Sequence, residues 1–203
     1  MRAFSFALVA SLIATLPLSA ATTGPAYVQQ NSKSPDGRLE IVIVENGAET
    51  GIASGIAEIR DRQSGRTVGS FEFISFGIHP TTSSIRVLWR PDSGCVAVWW
   101  AATRGYTSCK LYAPFRGKWI SISLPDYLEQ IRKRAGLKEL YDKGGEIPQQ
   151  WLGGSRLVIE VGNRMLEKRY RVTLRVSDTI RAHKPKAHIE HIEEVSQRGD
   201  LGE

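Results

Sequence analysis

The side chains that could carry chemistry are few. Histidines stand at His79, His183, His188 and His191, and the only cysteines are Cys95 and Cys109. Nucleophilic catalysis needs a nucleophile, a base and an orienting group brought together in space. No serine sits in the strained elbow G-x-S-x-G. Both cysteines lie in hydrophobic strand-like runs, where thiols are usually inert. Asp36 and Asp92 could serve as an acid/base pair, but Pro35-Asp36-Gly37 and Pro91-Asp92-Ser93 are turn contexts. His183, His188 and His191, with Glu190, Glu193 and Glu194, offer imidazole and carboxylate ligands. A strand over 187–195 would send His188 and His191 to opposite faces, and no metal-finger spacing is present. The sequence therefore names no catalytic residue, no cofactor-binding residue, no metal ligand and no cofactor.

Anion binding is the remaining chemistry. Arg169, Arg171 and Arg175 alternate along one strand-like run, with Lys168 just before it. A half-buried strand must point something polar outward, and arginine serves that purpose. Arg132, Lys133, Arg134 and Lys138 cluster in a helical stretch. If the two faces adjoin, Arg169, Arg171, Arg175, Arg132 and Lys133 form a basic surface for polyanions. The aromatic interleaving of single-strand binders is missing from the arginine run, so no sequence-specific nucleic-acid reading is expected. Trp89, Trp99, Trp100, Trp119 and Trp151 suit packing between sheet layers better than an exposed stacking platform.

The elements that position these residues begin with an export address. Met1-Arg2 is a short positive start, Phe4 to Leu18 is uncharged and apolar, and Ser19-Ala20-Ala21 offers the small residues a signal peptidase reads. The run is shorter than the roughly 20 residues of a spanning helix. Residues 1–21 therefore read as a cleavable signal peptide, and the localisation as secreted or periplasmic. No second long apolar run follows, so no membrane span is expected. Once Arg2 is removed, 26 basic residues face 21 acidic ones, a net +5. That excess favours anionic lipid surfaces, envelope polyanions or nucleic acid without selecting among them. The chain left after cleavage suits one domain and can bury a core without metal or disulfide staples.

Thr22 to Lys33 reads as a linker, 34–195 as a single β-rich domain, and 196–203 as a disordered tail. Short β-type runs recur at Arg38–Val44, Ile56–Arg60, Thr67–Phe73, Ser84–Trp89, Cys95–Ala101, Tyr106–Tyr112, Trp119–Ser123, Leu157–Val161, Tyr170–Val176 and Ala187–Val195. A helix near 124–142 interrupts them. Ser123 is its candidate cap, and Leu124, Leu128, Ile131 and Ala135 recur at helical spacing. A hairpin turning near Arg104-Gly105 sets Cys109 opposite Trp99 or Trp100, and Cys95 opposite Ala113 or Pro114. With about 3.3 Å of rise per residue, the sulfurs lie too far apart for a disulfide.

Three segments resemble one another: Ser34-Pro35-Asp36-Gly37-Arg38-Leu39, Arg90-Pro91-Asp92-Ser93-Gly94-Cys95 and Leu152-Gly153-Gly154-Ser155-Arg156-Leu157. Each is a tight turn feeding a hydrophobic strand. Trp89 and Trp151 stand just before the second and third. These turns resemble the strand entry of TolB-type β-propeller repeats. The resemblance implies blades of antiparallel strands and implies no activity. A closed propeller uses about 4–8 blades, and this chain has length for about three. The fold expected is thus a mainly β antiparallel meander, propeller-like but incomplete, with one inserted α-helix. A β-sandwich is the alternative, and oligomerisation could complete a ring.

Together these features describe an exported, non-enzymatic β-rich module that binds an unknown protein or an envelope polymer. A small secreted hydrolase, whose residues meet only in three dimensions, is the alternative.

Overall fold

Runs of β-branched and aromatic residues between Gly, Pro and Asp turns leave the chain one economical solution, successive antiparallel hairpins. A computed structural model describes residues 26–28, 32–46, 52–76, 85–103, 106–136, 145–162, 169–177 and 184–195. Residues 1–21, expected to be a signal peptide, residues 196–203, expected to be a disordered tail, and His79, His183, Lys138 and Lys168 lie outside them.

Strands β1 (Ala26–Val28), β2 (Leu39–Asn46), β3 (Ile52–Asp61) and β4 (Thr67–Phe76) form the first sheet in chain order. Strands β5 (Ile85–Trp89), β6 (Val96–Thr103), β7 (Tyr106–Phe115) and β8 (Lys118–Ile122) form the second. After helix α1 (Tyr127–Arg134), strands β9 (Gly145–Leu152), β10 (Arg156–Gly162), β11 (Arg169–Val176) and β12 (Ala187–Val195) form the third. Every pairing is antiparallel. Over the described residues the protein is therefore mainly β, a meander of three four-stranded sheets with one short helix. A sandwich has two layers; here there are three.

The layering follows from the apolar phase of each strand. Ile41 and Ile43, Ala57 and Ile59, and Phe71 and Phe73 of the first sheet share a core with Val96, Val98, Trp100 and Tyr112 of the second. Cys95 and the alternate residues Ala97, Leu111 and Ala113 point the other way. They share a second core with Leu157, Ile159, Val172 and Leu174 of the third sheet. The middle sheet thus has both faces buried, which explains the unbroken apolar run Cys95-Val96-Ala97-Val98. Burial of each Val, Ile, Leu or Phe side chain among these stabilises the fold by about 1.5–3 kcal/mol.

The helix is shorter than its apolar spacing suggests. Asp126 caps it, accepting the Glu129 N–H at 3.0 Å, so Ser123-Leu124-Pro125 form the approach and not the cap. Gly136 follows at φ 66, the left-handed conformation that ends helices. The expected extension through Leu140-Tyr141 lies outside the described residues. Tyr127 and Ile131 bury the helix against the second core. Ala26–Val28 forms a short edge strand on β2, inside the stretch expected to be a linker.

The repeat has a physical counterpart. In the first turn Ser34 N–H bonds Leu39 O, Gly37 N–H bonds Ser34 O, and Asp36 Oδ1 accepts Arg38 N–H. In the second, Arg90 N–H bonds Cys95 O, Ser93 N–H bonds Arg90 O, and Asp92 Oδ1 accepts Gly94 N–H. Gly37 and Ser93 hold the same left-handed position, at φ 70 and 61. A second recurrence crosses between sheets. Trp89 Nε1 donates to Ser32 O at 2.8 Å, and Trp151 Nε1 donates to Leu88 O at 3.2 Å. Ser32 and Leu88 each lie two residues before their turn. The third turn departs from the pattern. Leu152 pairs with Arg156, and Gly153 and Gly154 are both left-handed. It is one residue shorter, so Arg156, and not Leu157, corresponds to Leu39 and Cys95.

Candidate functional site

The five basic residues expected to form one surface are divided by the fold. Arg169, Arg171 and Arg175 do share a face, since Tyr170, Val172, Leu174 and Val176 between them are buried. That face is the outer one. Arg132 and Lys133 ride on α1, which packs on the inner side of the same sheet. The two groups do not merge into one patch.

Most of these charges are also satisfied. Arg169 meets Glu160 at 3.0 Å and Arg171 meets Glu193 at 2.7 Å. Arg132 makes a forked pair with Glu129, both bonds 2.6 Å, and Lys133 reaches the same carboxylate at 3.5 Å. The paired cations hold the Glu129 carboxyl down at about 2, led by the Arg132 hydrogen bond. Arg134 donates to Ile192 O at 2.5 Å, tying α1 to the sheet edge.

The tail histidines are arranged otherwise than alternation predicts. His191 pairs with Thr173 but Ile189 pairs with Leu174, leaving Glu190 as a bulge. The extra residue resets the phase, so His188 and His191 lie on the same outer face and not on opposite ones. Among the described residues, no group of three or more His, Cys, Asp or Glu side chains could hold a metal ion. His191 Nε2 stands 3.7 Å from Glu193 Oε2, beyond hydrogen-bond distance and on an exposed face. Cys95 and Cys109 are buried thiols outside any disulfide, and Cys109 pairs with Trp99 as its hairpin register requires. Burial pushes the Cys109 thiol well above its ordinary range, so it stays protonated.

One concavity among the described residues was not anticipated from sequence. Turns of the first two sheets converge on a cleft of about 340 Å³. Asp36, Asp61, Asp92 and Arg38 line its rim, and Leu39, Val68, Pro114 and Trp119 supply its apolar wall. Two local features shape that wall. A bulge opposite Ile59 and Arg60 sets Val68 toward the core. Gly69 lets β8 come close, since a Cβ there would stand 2.5 Å from Trp119 Cβ. Trp119 in turn packs edge-on against Trp89, with centroids 5.6 Å apart.

The rim carboxylates are engaged by their own turns. Asp36 Oδ1 accepts the Ser34 hydroxyl at 2.6 Å, the main reason its carboxyl lies below the usual range. Asp61 Oδ1 takes the Ser64 N–H and hydroxyl, both at 2.8 Å, with the same result. Partial burial pushes Asp92 up, but the Arg90 side chain at 2.7 Å and the Gly94 N–H outweigh it and leave it lowered. Ser93 Oγ accepts the Asp36 N–H at 3.1 Å and so joins the first turn to the second. No histidine lines the cleft among the described residues. The cleft is polar at its rim and apolar along its wall. No protein-family model matches the chain, and no curated protein matches it.

Proposed function

We propose that this chain is an exported, non-enzymatic binding module whose sheets act as propeller-like blades of the TolB type, and that its turn-lined cleft receives a segment of a partner protein or envelope polymer. The observation that carries the reading is the cleft's rim. Its three aspartates spend hydrogen bonds on their own turns, so the cleft has fixed walls and no acid/base pair poised for reaction. The recurring indole-to-carbonyl bond supports the blade reading, because it joins equivalent positions of successive sheets. The leader Met1–Ala21 supports export.

The test is capture from an envelope extract by the immobilised chain, compared with Arg38→Glu and Trp119→Ala. A genuine partner is retained by the parent chain and lost from both variants, whose melting curves report that they fold. The full-length chain recovered outside the cytoplasm starts at Thr22. Equal capture by all three proteins, or turnover of an ester, phosphate or glycoside substrate by the purified chain, overturns the reading.

A further inference from the structure

The outer face of the third sheet is not uniform. Its residues fall into transverse rows, one from each strand. One row runs Ile147, Glu160, Arg171, Glu193. Glu193 neutralises Arg171 there, and Glu160 reaches diagonally to Arg169 of the next row. The row at the turn end runs Leu152, Arg156, Arg175, His188. Among the described residues, only Arg156 of that row has a carboxylate, Glu190 from the bulge, at 2.7 Å. Arg175 sits directly between Arg156 and His188 with no carboxylate in ion-pair reach among the described residues. Lys186 alternates onto the same side one step beyond, exposed beside Ser177.

Arg175 lies about 5 Å across the strands from Arg156, whose guanidinium already holds Glu190, so the row keeps a positive charge that an external anion can meet. The same face also carries the exposed large hydrophobic residues among those described, Ile147 at 38% and Leu152 at 40%. Both belong to edge strand β9, and Leu152 ends the basic row. A face that combines unpaired cations with exposed aliphatic side chains suits an anionic bilayer, where headgroups meet the cations and the boundary region takes the side chains.

We infer that the turn end of this face, centred on Arg175 and Lys186 with Leu152 at its side, docks the protein on an anionic phospholipid surface. The inference rests on the reading of the chain as an exported binding module, and it uses a different face from the cleft. Arg169 and Arg171 face the same way but are held by glutamates.

The experiment is co-sedimentation of the chain from Thr22, which keeps every described residue and lacks the apolar leader, with phosphatidylcholine vesicles with and without phosphatidylglycerol. Each basic residue near such a surface is worth about five-fold in partitioning, so Arg175→Gln with Lys186→Gln lowers binding about 25-fold. The control pair Arg66→Gln with Lys118→Gln, which alters net charge equally on the other two sheets, leaves binding within about two-fold. Leu152→Ser weakens binding to phosphatidylglycerol vesicles as well. Equal binding to both vesicle types, or equal loss in the control pair, overturns the inference. Inorganic polyphosphate bound in an Arg175-dependent manner without vesicle binding also overturns it, in favour of a soluble polyanion. Vesicle binding that fails while Arg38-dependent capture persists counts against this inference alone, and the reverse result counts against the cleft.

Discussion

Ser93 places an ordinary side chain where its counterpart turn has Gly37. Its φ is 61, a left-handed conformation that costs a residue with a Cβ about 1–2 kcal/mol. The hydroxyl offsets part of that cost. Ser93 Oγ accepts the Asp36 N–H at 3.1 Å, a bond between turns of two sheets, with a net worth of about 1 kcal/mol. Two substitutions separate these effects. Ser93→Ala keeps the backbone cost and loses the bond, so it destabilises by about 1 kcal/mol. Ser93→Gly loses the bond and adds about 0.5–1 kcal/mol of chain entropy, but relieves the left-handed cost, so it stays near the parent. The expected order is serine and glycine together, with alanine below them. Urea unfolding followed by tryptophan fluorescence measures it, with an unchanged m-value as the check that only stability moved. Alanine as stable as serine would refute the inter-turn bond. Glycine less stable than alanine would refute the backbone assignment.

Gly69→Ala forces a Cβ to 2.5 Å from Trp119 Cβ and 3.2 Å from its carbonyl oxygen. Overpacking of that kind costs about 1–3 kcal/mol, and thermal melting shows it as a drop of roughly 2–4 °C per kcal/mol. An unchanged melting temperature would mean that β4 and β8 are not pressed together. The Glu129 carboxyl is depressed to about 2, so its pairing stabilises α1 above the ordinary glutamate range and is lost as pH falls through that value. The stability difference between the parent and Glu129→Gln is therefore present at neutral pH and disappears toward pH 2. A difference independent of pH would contradict the pairing.

Most strands were legible because their pattern is strong. β11 alternates arginine with Tyr170, Val172, Leu174 and Val176, and β6 and β7 pair in the expected register. β9 was not legible. Pro148 breaks its β pattern, and it survives only on an edge strand, beside a register shift. The bulge at Glu190 was invisible for a related reason. One inserted residue changes no composition, yet it reverses which face His191 occupies. The turn chemistry of Asp36 and Asp92 could be read locally. The cleft they border could not, because Val68, Pro114 and Trp119 reach it from two different sheets. Charge at Arg169 and Arg171 was legible as well, but cross-strand neutralisation by Glu160 and Glu193 depends on a register that sequence does not print.

The doubly buried middle sheet also has a consequence in time. Its last strand ends at Ile122, and the sheet that covers Cys95, Ala97, Leu111 and Ala113 is complete only at Val195. At about 5–20 residues per second, a ribosome needs several seconds to supply that stretch. During that interval the nascent chain carries one finished core and one uncovered apolar layer. The interval is the period in which the chain is most exposed to aggregation, and a holdase would protect it then.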